Sequence, residues 1–110
     1  MNMLNSIIIE GKVLNKTSTV TVQGNPVTVI TIETRRSYKD SYDGTVKEEL
    51  SKFDVDTFDK LAEMCNEYAN EGRTIRVVGR LTSHDTTVNG FTFHHVSVLA
   101  EHIEFKPFTK

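Results

Sequence analysis

Tryptophan is absent from this chain, and cysteine occurs once, as Cys65. A lone cysteine forbids an internal disulfide and suits a reducing compartment, so a cytoplasmic protein is expected. No apolar run approaches the ~18 residues that a membrane-spanning helix needs. The opening Met1 to Asn5 lacks the basic stretch that leads a secretory signal. Nor is there an excess of positive charge: 13 lysines and arginines meet 15 acids, for a net charge of −2 and a pI of about 6.1. That balance argues against a polybasic nucleic-acid binder, whose domain pI usually exceeds ~9, although phosphate attraction depends on where the cations lie. Zinc-type spacing is missing too. His94 and His95 are adjacent and diverge on a strand, while His84, His102 and Cys65 lie apart from them. No metal and no cofactor are expected.

What is present mostly alternates. Leu4 to Leu14 holds Ile7-Ile8-Ile9 and then Gly11, whose place inside a strand pattern predicts a bulge or bend. Thr19 to Val22 alternates up to a turn at Gln23-Gly24-Asn25-Pro26, and Val27 to Thr34 reads as the second half of a hairpin. Ser37 to Glu49 is polar, with Asp43-Gly44 at its middle, and reads as a long mobile hairpin tip. A third strand covers Leu50 to Asp56, with Phe53, Val55 and Thr57 on one side and Lys52, Asp54 and Asp56 on the other.

Helical spacing follows in Phe58, Leu61, Ala62, Cys65, Tyr68 and Ala69, with Asp56 or Thr57 as cap and Gly72 as left-handed stop. Thr74 to Thr82 reads as a strand, Ser83 to Gly90 as a polar turn, and Phe91 to Phe105 as the last strand or strands. One amphipathic helix thus interrupts an all-β chain between strands three and four. The OB-fold, a five-stranded Greek-key barrel that binds oligonucleotides or oligosaccharides, has that arrangement. A single OB-fold domain over residues 1–110, with its core at about 4–105, is the expected architecture.

Cations gather on the second hairpin. Arg35, Arg36 and Lys39 flank Tyr38, and Lys47 and Lys52 follow on the returning strand. An exposed ring among cations suits stacking on an unpaired base with phosphates held alongside. The bland reading is an aromatic packed on its own loop. Arg35 and Arg36 point to opposite faces, so at most one of them lines a groove. Phe58 opens the helical stripe and serves a core anchor equally well. Phe91 and Phe93 share a strand face and read as core. Cys65 reads as a small core residue rather than a nucleophile. Asp54 and Asp56 share a face, as metal-binding carboxylates of nucleases do, but no third ligand or general base stands beside them. No catalytic residue is assigned, and no enzyme is expected.

Four segments resemble, in order and spacing, the bacterial-type single-stranded DNA-binding proteins. They are Leu4-Asn5-Ser6-Ile7-Ile8-Ile9-Glu10-Gly11, Gly24 through Ile32, Phe58-Asp59-Lys60-Leu61-Ala62-Glu63 with Tyr68 and Gly72, and Val78-Gly79-Arg80-Leu81. The resemblance runs from about Leu4 to Phe105. It implies an OB barrel, usually a homotetramer, that binds single strands without strong sequence preference in replication, recombination and repair. It further implies base stacking at Tyr38 and an aromatic contact at Phe58. At Lys52 it implies a phosphate contact where the family has an aromatic, unless Phe53 shifts register to fill that place. This chain departs from the family in lacking tryptophan and in a shorter Ser83 to Asn89 segment that lacks the basic and aromatic residues often found there in the family. It also ends at Lys110 without the glycine- or glutamine-rich tail and acidic tip that recruit other proteins, so that recruitment is not expected of it. Two other readings stay open. The ending Val98 to Glu104 is similar to primosomal replication protein N, an OB dimer, and the mild acidity suits an OB-fold protein-interaction module. The expected partners are single-stranded DNA and further copies of the chain.

Overall fold

Strand alternation and the single helical stripe translate directly into the element order of the computed structural model. It describes residues 1–107; the chain end at Lys110 lies outside the described residues. The elements are β1 (Ile7–Val20), β2 (Pro26–Lys39), β3 (Val46–Phe58), α1 (Asp59–Tyr68), β4 (Thr74–Val88) and β5 (Phe91–Phe105). The strands close in the order β1-β2-β3-β5-β4. This is the five-stranded OB barrel, with its helix between β3 and β4 as expected. Every ladder is antiparallel except the β3–β5 seam, which pairs only Val55 with Val98 and Asp56 with Leu99.

Alternate residues fill the barrel: Val13, Ile30, Ile32, Val55, Ile75, Val77, Val98 and Ile103 are buried. Each such side chain contributes about 1.5–3 kcal/mol on leaving water. Helix α1 packs chiefly against β2 through the fully buried Ala62 and Cys65. Two buried threonines join helix and sheet. Thr57 Oγ1 donates to Thr28 O at 2.6 Å, and Thr28 Oγ1 donates to Ala62 O at 3.0 Å.

That bonding overturns the expected helix caps. Thr57 points inward and Asp56 accepts from Ser97 Oγ at 2.8 Å, so neither caps; Phe58 is the N-cap residue and makes no side-chain cap bond. At the other end the helix stops at Tyr68, before Gly72. Gly72, at φ +89°, instead turns the chain into β4 and donates its N–H to Val13 O at 2.8 Å. The helix's last carbonyls are met from β1, where Lys16 Nζ lies 2.5 Å from Asn66 O, 3.3 Å from Cys65 O and 3.1 Å from Asn70 Oδ1. The irregularity predicted at Gly11 falls between Val13 and Asn15. Gly11 is small for another reason: a Cβ there would lie 2.8 Å from Glu33 O, where β1 passes from pairing with β4 to pairing with β2.

The largest departure from expectation concerns the two long polar segments. Neither is a loop. The β2–β3 ladder runs without a slip from Val27–Phe58 to Lys39–Val46, leaving a tip of only residues 40–45. The β4–β5 ladder continues to Val88–Phe91 and closes on Asn89 and Gly90, at φ +51° and +81°. Two central residues with positive φ form the type I′ turn, for which Asn-Gly is the preferred sequence. Because β3 and β5 run parallel, both ribbons leave the barrel at the same end. They raise the radius of gyration to 16.4 Å, against about 13 Å for a compact domain of this length.

Candidate nucleic-acid interface

Pairing between β1 and β2 ends at Lys12–Glu33. Beyond it, residues 34–39 and 46–51 form a two-stranded arm with both faces open. Side chains alternate along it, so the ladder register sorts the candidate residues. Ile32–Phe53, Thr34–Ser51, Arg36–Glu49 and Tyr38–Lys47 continue the face that lines the barrel interior. Val27–Phe58, Glu33–Lys52, Arg35–Leu50 and Lys39–Val46 continue the outer face. The eight candidates therefore divide: Arg36, Tyr38, Lys47 and Phe53 share one face, and Arg35, Lys39, Lys52 and Phe58 the other. Arg35 and Arg36 diverge as expected. The unbroken ladder also keeps Phe53 on the face opposite Lys52, so it does not take that position.

The rings are accessible. Tyr38 is 39% exposed, Phe53 40% and Phe58 45%. Phe58 is thus not the buried anchor that its helical spacing allowed. The Arg36 guanidinium stands 5.8 Å from the centroid of the Tyr38 ring, a cation–π placement. Six ladder steps separate Tyr38 from the level of Phe53, roughly 20 Å along the strand.

The cations differ in what holds them. Lys47 Nζ lies 2.6 Å from Asp40 Oδ2 and 3.5 Å from Asp43 Oδ2, tying the arm's tip. The tip is further ordered by Asp40 Oδ1, which accepts the Tyr42 N–H at 2.7 Å, and by Asp43 Oδ1, which accepts the Thr45 hydroxyl at 2.6 Å. The Lys47 bond, then the Tyr42 N–H, hold the Asp40 carboxyl below its ordinary range; the Thr45 hydroxyl does most of this for Asp43. Arg35 Nε is 3.3 Å from Glu48 Oε1. Among the described residues, Arg36, Lys39 and Lys52 make no ion pair.

Asp54 and Asp56 act as staples. Asp54 Oδ1 accepts from Thr31 Oγ1 at 2.9 Å across β2–β3, and Asp56 accepts from Ser97 across the short β3–β5 seam. Among the described residues no group of histidine, cysteine and carboxylates is placed to hold a metal ion. Burial pushes the Cys65 thiol up to about 11, which leaves it protonated and unreactive at neutral pH.

The second arm carries residues that sequence reasoning misplaced. Phe91 and Phe93 are 70% and 53% exposed rather than core, because β5 has left the barrel before Val98 and no sheet faces them. His84 and His95 are ladder partners whose rings stack at 5.0 Å between centroids. His94 Nδ1 sits against Asp85 Oδ1. Asn89-Gly90 was the available signal: read as a tight turn, it pairs these residues across two strands.

Comparison with known proteins agrees with this geometry. The model of the single-strand binding protein family matches residues 4–106. A single-stranded DNA-binding protein of Aquifex aeolicus is 31% identical over 102 residues, 92% of this chain and 69% of the relative. One from Helicobacter pylori is 31% identical over 81 residues, 73% of this chain and 45% of the relative. Among solved structures, a Plasmodium falciparum single-strand binding protein in complex with single-stranded DNA has a TM-score of 0.88 at 16% identity, covering 97% of this chain and 98% of that one. A deletion mutant of the Thermus aquaticus single-stranded DNA-binding protein has a TM-score of 0.82 at 23% identity, covering 94% and 51%. The small single-stranded DNA-binding protein of Streptomyces coelicolor has a TM-score of 0.75 at 18% identity, covering 96% of each chain. These structures share the fold of this chain. With nearly its whole length matched by the family's sequence pattern, the chain belongs to the single-strand binding protein family.

Proposed function

We propose that this chain binds single-stranded DNA without strong sequence preference, protecting it during replication, recombination or repair, and that it catalyses nothing. The observation that carries the proposal is the half-open Tyr38 ring beside the Arg36 guanidinium, on an arm that leaves the barrel of a family member. Every base has a flat face, so a stack on Tyr38 tolerates any sequence. Arg36, Lys39 and Lys52 supply the first phosphate contacts. Arg35 and Lys47 contribute by exchanging Glu48, or Asp40 and Asp43, for phosphate oxygens. Phe58 adds a ring on the outer face, and Phe53 lines the base of the arm on the Tyr38 face. The protein acts as one domain in the cytoplasm and self-associates, as a homotetramer; Ile8, 70% exposed on the outside of β1, supports burial against another copy. A measured solution mass separates tetramer from dimer.

The absence of tryptophan provides the test, since ultraviolet emission comes from Tyr38, Tyr42 and Tyr68 alone. Oligo-dT is expected to quench that emission. Tyr38→Ala removes most of the quench and weakens binding by about tenfold, the scale of one stacked base. Full quench and unchanged affinity in that variant contradict the assignment of Tyr38.

A further inference from the structure

At the end of the barrel away from the arms, an apolar groove and an unpaired strand edge meet at Val20. The groove lies between the β1–β2 hairpin and α1. Val20, Pro26 and Val27 form one wall, Ala62 lies at the base, and Glu63 and Asn66 stand opposite. Two bonds tie its sides together: Ser18 Oγ donates to Asn66 Oδ1 at 2.8 Å, and Thr28 Oγ1 donates to Ala62 O. The edge belongs to β1. It pairs with β4 only as far as Lys12, and from Asn15 to Val20 its one ladder partner among the described residues is β2. An open edge is a template for another strand, and proteins usually guard one with lysine, proline or a bulge. Here the bulge comes before Asn15. Lys16, the one charged side chain from 15 to 28, is turned onto the carbonyls of α1. The stretch Thr17-Ser18-Thr19-Val20-Thr21-Val22 is neutral and mostly β-branched, and Thr17 to Val20 are exposed, which favours pairing.

Charge decides what fits there. No lysine or arginine lines the groove, and its one formal charge is Glu63. Glu67 repeats that charge one helical turn on. Both glutamates are exposed, and neither makes an ion pair among the described residues. The helix as a whole carries Asp59, Glu63 and Glu67 against Lys60. A phosphate therefore meets no cation in the groove, although Phe58, the ladder partner of Val27, stands near this end. Tyr38 lies at the far end of β2, roughly 30 Å from Thr28 along the strand. We infer that the groove and edge dock an extended, basic segment of another protein. The segment adds a strand to β1 along Asn15 to Val20, sets an apolar side chain beside Val20, and places lysine or arginine at Glu63 and Glu67. In such strand addition, main-chain bonds supply affinity and alternate side chains supply selectivity.

The probe is a synthetic capped peptide in which valine alternates with lysine, titrated into the intact protein. A peptide of alternating valine and glutamate is its counterpart. Saturable binding of the lysine peptide is expected, with slower hydrogen exchange at backbone amides between Asn15 and Val20. Glu63→Lys with Glu67→Lys changes two exposed contacts from attraction to repulsion. That double variant is expected to bind the lysine peptide about tenfold more weakly, and the glutamate peptide more tightly by a similar factor. Saturating oligo-dT is expected to leave the lysine peptide bound, and the double variant is expected to keep the wild-type solution mass. No saturation by about 1 mM lysine peptide overturns the docking site. So does exchange protection confined to other strands, or a double variant that leaves both affinities unchanged. Displacement by oligo-dT would give the groove to nucleic acid, and a changed mass would give it to a second copy of the chain; either result overturns the proposal.

Discussion

At Gly79 an added methyl group would collide with the carbonyl oxygen of Leu99, because β4 and β5 shift register between Val78 and Gly79 and bring their backbones together. The obstacle is backbone in a closed barrel, so it cannot swing aside as a side chain would. Gly79→Ala is expected to destabilise the fold by about 3 kcal/mol, at the upper end of overpacking costs; a urea midpoint within error of wild type contradicts this. The Val78-Gly79-Arg80-Leu81 segment was legible as a family signature, but the reason for its glycine was not. It depends on a register shift between strands that are distant in sequence. The divergence of Arg35 and Arg36, by contrast, follows from adjacency alone. Their separate partners, Glu48 for one and the Tyr38 ring for the other, required the ladder.

Among the elements, the helix shows how far periodicity reaches. The stripe Leu61, Ala62, Cys65 correctly marks its buried side, since side chains at that spacing share one face. Its ends follow other rules. Thr57 and Asp56 are good capping residues, yet each has a partner across the sheet that the local sequence does not reveal. The last turn carries no basic residue of its own, and Lys16 of β1 supplies the missing cation. Lys16→Met is expected to cost about 1 kcal/mol, the worth of charged bonds to C-terminal carbonyls at a partly exposed site. Chemical denaturation measures it, and an unchanged midpoint would show that the lysine is incidental. The arms were misread for a related reason. A free ribbon has water on both faces, so its strands lose the apolar alternation that marks a strand over a core. Polar residues 37–49 and 83–90 therefore look like loops, although Asn89-Gly90 carried the turn chemistry that identifies a hairpin.

Across the whole molecule, a net charge of −2 is compatible with a polyanion partner because charge is sorted by location. Glu10 and Glu104 are engaged by Arg76 on the barrel wall, while Arg36, Lys39 and Lys52 stand on the β2–β3 arm without ion-pair partners among the described residues. The barrel holds two ribbons at one end, where rings meet solvent on both and the free cations stand on the β2–β3 arm. Such a surface draws much of its affinity from phosphates, and each neutralised phosphate releases counterions. The most direct measurement is equilibrium binding of oligo-dT, with a duplex of equal length alongside, over a series of salt concentrations. Tight single-strand binding at low salt is expected, with little on the duplex. The logarithm of affinity should fall linearly with the logarithm of salt, with a slope of about −2 for three free cations at ~0.7 per single-strand phosphate. Failure to bind oligo-dT at low salt, or equal affinity for the duplex, would contradict the account.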